Sequence, residues 1–141
     1  MDSARLEFAP FIGDDERKFI VDGVDFHNVA VTGIHDWCPV NFVVRGERGD
    51  AMGGMLGLLW GGWLHIAHLW VAEPMRGQGY GSRLVREAET YARSRGAIGA
   101  TLETFSFQAR PFYESIGYQV CGAIEGYPPG QSKFFLKKML V

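Results

Sequence analysis

The sequence predicts a mixed α/β sheet with helices on its faces, and three observations carry that prediction. Gly61-Gly62 divides an uncharged 22-residue stretch, residues 51–72, into two apolar runs that read as a hairpin, because glycine tolerates the positive φ of such turns. The hydrophobic spacing then changes to the 3.6-residue period of a helix over residues 81–95. The rest of the chain reads strand, helix, strand, strand, which requires a sheet covered by helices.

Taken in order, residues 16–31 hold Phe19, Ile20, Val24 and Val31 at helical spacing, although Gly23 and the β-branched residues weaken the helix. Residues 41–45 read as a strand and residues 46–50 as a polar turn. Residues 52–60 and 63–71 form a buried antiparallel pair. In the helix over 81–95, Leu84, Val85, Ala88, Tyr91 and Ala92 make one apolar face. Gly96 is its stop, with Arg93 and Arg95 complementing the dipole there. Residues 97–104 read as a strand. Residues 109–115 read as a short helix, with Pro111 tolerated in its first turn and Gly117 just past its end. Residues 118–123 form a strand, 126–130 a rigid Gly-Tyr-Pro-Pro-Gly loop, and 133–140 the last strand.

A chain of 141 residues is one ordinary domain, large enough to fold without disulfides or metal. With 47% apolar and 21% charged residues, disordered, collagen-like and disulfide-rich classes are excluded. Cys38 and Cys121 lie far apart without metal-ligand spacing and read as reduced thiols of a cytoplasmic protein. His27 and His35 are isolated and read as structural. The five glycines and two histidines of residues 51–72 argue against a membrane span, and no signal-peptide pattern precedes them. A net charge of −2 argues against nucleic acid as a partner. The charge is uneven: residues 1–50 hold ten acids and five bases, residues 51–141 six acids and nine bases. An anion should therefore bind the second part.

The informative segment runs from Leu69 to Leu84: a buried strand, a glycine-rich loop with Gly77, Gly79 and Gly81, and a helix start. The glycines let backbone approach a ligand, and the free N–H groups of the helix start complete an anion site suited to phosphate. Five of the ten arginines lie between Arg76 and Arg95. No Gly-Lys-Ser/Thr follows, and the Gly-x-Gly-x-Gly spacing is not the dinucleotide fingerprint.

Arg76-Gly77-Gln78-Gly79-Tyr80-Gly81 resembles the acetyl-CoA signature of the GNAT N-acetyltransferase superfamily, Arg/Gln-x-x-Gly-x-Gly/Ala. Leu69-Trp70-Val71 matches the hydrophobic strand that precedes it in that family. Ala109-Arg110-Pro111-Phe112-Tyr113-Glu114-Ser115-Ile116-Gly117-Tyr118 matches the family's second motif. The resemblance covers residues 63–123 and extends loosely to the end. It implies a mostly antiparallel sheet of six to seven strands, splayed where acetyl-CoA enters, with helices on both faces of a single domain over residues 1–141.

It further implies an N-acetyltransferase in which a neutral amine attacks the thioester directly. The loop from Arg76 through Gly77, Gln78, Gly79, Tyr80 and Gly81 to Ser82 would hold the pyrophosphate. Leu69, Trp70 and Val71 would pair with the pantetheine arm, as a peptide pairs with a sheet edge, and Phe112 and Tyr113 would border the cofactor. Tyr113 stands where the family's thiolate-protonating tyrosine does. His65 falls where some members carry a proton acceptor, a task that suits an imidazole near neutral pH. Glu103, on the next strand, is the other candidate to hold or deprotonate the amine. Strict alternation puts His65, Ala67, Leu69 and Val71 on one face of the strand and Ile66, His68 and Trp70 on the other, and His68 reads as a packing or interface residue. The family's pantetheine-contacting asparagine is here Ser106, with Gln108 as the neighbouring substitute. Phe105, Phe107, Phe112 and Tyr127 read first as core and second as an aromatic wall around a flat or apolar acceptor. Glu125 reads as a solvated loop charge. The expected acceptor is a small-molecule amine, with no metal. Exposed strand edges allow a homodimer. The alternative is a CoA-binding sensor of the same fold without turnover.

Overall fold

The computed structural model describes residues 3–141. The chain divides into two compact units, Met1–His35 and Asp36–Val141.

The first unit is built on one helix, α1 (Asp14–Thr32), slightly longer at both ends than the spacing predicts. Asp14, Asp15 and Glu16 fill its first turn, where negative charge complements the helix dipole. Lys18 and Asp22 pair one turn apart. Gly33, at φ 70°, closes the helix by donating its N–H to the Val29 carbonyl. None of the residues of α1 is buried within this structure.

The second unit carries a six-stranded sheet in the order β1-β2-β3-β4-β6-β5. The strands are β1 (Cys38–Arg45), β2 (Ala51–Trp60), β3 (Trp63–Val71), β4 (Gly99–Phe105), β5 (Gln119–Glu125) and β6 (Ser132–Met139). Two α-helices interrupt them, α2 (Tyr80–Ser94) and α3 (Arg110–Ser115), along with a short 3-10 turn at Glu73–Met75. Every pairing is antiparallel except β3 with β4, which are parallel and joined through α2, as a parallel pair requires. The strand count is the lower of the two expected.

The β3–β4 pairing is short. Only Trp63 to Ile66 pair with Gly99 to Leu102, and beyond Ile66 the two strands part. The sheet is therefore splayed from residue 67 onward, and this opening positions the site. Leu84, Val85, Ala88 and Ala92 of α2 pack over Met55, Leu59, Leu64 and Ile66 in the core. The helix corrects one expectation. Tyr91 is on its exposed side and Glu89 is buried instead, because Glu89 lies one turn beyond Val85 on the same face and finds polar partners there.

A second correction concerns β3. The antiparallel register shifts between Leu56 and Gly57, pairing His68 with Leu56 and Ile66 with Gly57. Ala67 is the extra residue of a β-bulge and has no partner in either neighbouring ladder. Strict alternation therefore fails. Residues directly opposite share a face, so His65 and His68 lie on one face with Leu58 and Leu56, while Ile66 and Leu69 lie on the other with Gly57 and Met55. The burial of Leu64 and Ile66, and the exposure of His68 and Trp70, follow this shifted pattern.

Glycine is required inside β2. A Cβ on Gly54 would stand 2.6 Å from the Phe42 carbonyl oxygen, a backbone atom that cannot move aside cheaply. Gly54→Ala is expected to destabilise the fold by about 1–3 kcal/mol, measured as a lower denaturant midpoint.

Candidate active site

The glycine loop lies between the end of β3 and the start of α2. Gly77 (φ 74°) and Gly79 (φ 83°) both take left-handed backbone, which a side chain would disfavour. A Cβ on either would project into open space, so the bare backbone borders a concavity. Gly79 caps α2 without any side-chain hydrogen bond, and the first turn of α2 holds no acid. The uncompensated N–H groups there are available to an anion. Arg76 Nε donates to the Val71 carbonyl at 2.8 Å and ties the loop to β3.

A cavity of about 480 Å³ opens against this loop. Leu69, Trp70, Val71, Arg76, Gly77, Gly79, Tyr80, Gly81, Ser82 and Phe112 line it, which brings together most of the residues expected to hold the cofactor. Gln78 is outside the lining, its amide donating to the Pro74 carbonyl. Ser106 is elsewhere: its hydroxyl donates to Gln131 and accepts the Ser132 N–H, fastening the end of β4 to β6. Gln108 Oε1 accepts the Phe105 N–H at 2.9 Å and holds the turn into α3.

A second cavity, about 710 Å³, lies in the splay. Ala67, His68, Glu103, Phe107, Gln108 and Tyr113 are among its lining residues. It shares Leu69, Trp70, Arg76 and Ala109 with the first, so the two meet along the end of β3.

His65 and Glu103 are brought together. They sit on the adjacent parallel strands β3 and β4, and His65 Nε2 is 2.8 Å from Glu103 Oε2. The pair is partly exposed, with side-chain exposures of 44% and 37%. Glu103 lines the second cavity and His65 does not. His68, expected to pack, lines it as well, a consequence of the bulge.

Tyr113 is buried, in edge contact with Phe112 and Tyr118. Burial raises its phenol above the ordinary value of 10, so the hydroxyl keeps its proton at neutral pH. Glu125 is exposed at the end of β5. His27 is exposed, and His35 Nδ1 lies 3.3 Å from the Gly33 carbonyl. Among the described residues no group of three His, Cys, Asp or Glu side chains could hold a metal ion.

Sequence reasoning did not single out Ala67, whose place as the bulge residue depends on strand register. It also passed over the set of buried Glu89 and Tyr118 with part-buried Lys138. Their joining depends on three distant segments and leaves no local pattern.

Comparison with known proteins extends this picture. Residues 8–118 match the Acetyltransferase (GNAT) family. The blasticidin-S acetyltransferase of Streptomyces morookaense is 46% identical over 96 residues, covering 67% of this chain and 71% of that protein. An acetyltransferase of Agrobacterium fabrum is 35% identical over 124 residues, 88% of this chain and 90% of that one. The crystal structure of an acetyltransferase from Bacillus cereus matches with a TM-score of 0.83 and 34% identity, covering 96% of this chain and 97% of that chain.

Proposed function

The chain belongs to the GNAT acetyltransferase family, and we propose that it transfers the acetyl group of acetyl-CoA directly to a primary amine of a small molecule within a ternary complex. The observation that carries this reading is the meeting of two cavities along the end of β3. One is bordered by the glycine loop, and the other holds a carboxylate and a protonated phenol. The second, at about 710 Å³, is of a size for a small molecule. The Streptomyces relative is by name a blasticidin-S acetyltransferase.

In this reading the loop and the start of α2 hold the pyrophosphate, and the pantetheine follows Leu69 to Val71 into the splay. The acceptor occupies the second cavity. Glu103, which lines it, takes the ammonium proton directly or through one water. His65 stands behind Glu103 and fixes the orientation of its carboxylate. The freed amine attacks the thioester carbonyl, and the tetrahedral oxyanion is met by the backbone N–H at the Ala67 bulge. Collapse expels the CoA thiolate, which takes the Tyr113 proton, while the surplus proton on the attacking nitrogen passes through water to the Tyr113 oxygen and leaves the neutral amide. Burial holds Tyr113 in its phenol form until the thiolate leaves beside it. Holding both reactants at the junction replaces a bimolecular encounter with an oriented one.

Two measurements test the reading. Calorimetry should show acetyl-CoA binding to the wild type and its loss in Gly79→Trp, which fills the loop. In a thiol-release assay, Tyr113→Phe should lower kcat by about 10²-fold with KM for acetyl-CoA unchanged. Wild-type protein that binds no acetyl-CoA would end the proposal.

A further inference from the structure

The second cavity has aromatic walls whose arrangement points to an acceptor class. Phe107 and Trp70 both line it, and both are unusually open for large apolar side chains, at 57% and 60% exposure. Phe107 is not a loose surface residue. Its ring stacks on Phe105 with centroids 5.2 Å apart and planes within 12°, and Phe105 stacks in turn on Tyr127 at 5.4 Å and 3°. Lys133 Nζ lies 5.7 Å and 5.4 Å from the Phe105 and Tyr127 centroids, so the inner rings of the column are braced by a cation as well. Of these three near-parallel rings, Phe107 is the one that lines the cavity.

We propose that the acceptor carries a planar conjugated ring, which stacks on Phe107 as the fourth member of this column while its amine reaches Glu103. The inference rests on the acetyltransferase reading of the same cavity. An aromatic face that is already oriented loses little freedom when a ring stacks on it, and offset stacking is favourable beyond the area it buries. A saturated ring of similar size gains the burial without the quadrupole match. Trp70 supplies a second apolar wall at the junction with the cofactor cavity, and the Glu103 carboxylate favours an acceptor that arrives as an ammonium ion.

The test compares three primary amines, 2-phenylethylamine, tryptamine and 2-cyclohexylethylamine, titrated by calorimetry into CoA-saturated protein. The two aromatic amines should bind about tenfold more tightly than the saturated one. Phe107→Leu should erase that difference, Phe107→Tyr should keep it, and acetyl-CoA affinity should be the same in all three proteins. Equal binding of the three amines, no binding of any, or a preference that survives Phe107→Leu would overturn the proposal. A thiol-release assay with the same amines separates the two readings. Aromatic-selective binding without acetyl transfer would leave the ring site standing and count against the acetyltransferase reading. Transfer at equal efficiency to all three amines would do the reverse.

Discussion

Glu103→Gln is expected to lower kcat for amine acetylation by about 10²–10⁴-fold, the range that a positioned general base contributes. Glutamine keeps the shape of the side chain but cannot take a proton. His65→Ala should cost less, about tenfold, because His65 reaches the acceptor only through Glu103. Three readouts distinguish base from support. The rate of Glu103→Gln should climb with pH as free amine replaces ammonium in solution, whereas His65→Ala, which keeps the carboxylate, should follow the wild-type pH profile. The double variant should be little worse than Glu103→Gln alone, since residues that act as one unit are not additive. KM for acetyl-CoA should hold in both, because neither residue lines the loop cavity. A larger loss in His65→Ala than in Glu103→Gln would reverse the roles and make the imidazole the group that meets the amine.

That assignment shows where sequence reading stops. The elements themselves were legible, because glycine punctuation and hydrophobic period are local. The hairpin at Gly61-Gly62, the helix behind Gly79 and the short helix at Pro111 all lie within a few residues of expectation. The glycine loop was legible for the same reason, its chemistry and its spacing being contiguous in the chain. The face of β3 was not. A single extra residue at Ala67 moves His68 to the side of His65, and nothing in Leu-His-Ile-Ala-His-Leu marks which residue is the extra one. Nor was it legible which member of the His65–Glu103 pair borders the cavity, since that depends on where β3 and β4 part. Ser106 is instructive in another way. Counting along a motif leads to Ser106, but its hydroxyl is used to fasten β4 to β6.

The largest stability effect is expected away from the site, at Glu89. Its carboxylate is buried under α2, accepting from the Tyr118 hydroxyl at 2.8 Å and from Lys138 Nζ at 3.0 Å. Lys138 also donates to the Ile116 carbonyl at 2.9 Å, so one ammonium group joins α2, the end of α3 and β6. Lys138→Met would leave the carboxylate buried and short of its counter-charge, at a cost of about 3–5 kcal/mol. Glu89→Gln should cost less, because a neutral amide needs no counter-charge. Replacing both residues, Glu89→Leu with Lys138→Met, should recover most of the loss, since removing a buried pair altogether spares its desolvation. Tyr118 adds a dependence on pH. Burial, with the Glu89 carboxylate beside it, raises its phenol far above the ordinary 10. As pH rises past 10 the unfolded chain releases this proton while the folded chain keeps it, so stability falls with pH there. Tyr118→Phe should flatten that alkaline loss while lowering stability at neutral pH by about 1–3 kcal/mol, the penalty of a buried acceptor left short of a donor. Urea denaturation of the four variants at pH 7 and of the tyrosine variant up to pH 11 checks each sign. A Lys138→Met protein as stable as the wild type would mean that the ion pair contributes nothing net, and that it is held for geometry and not for charge.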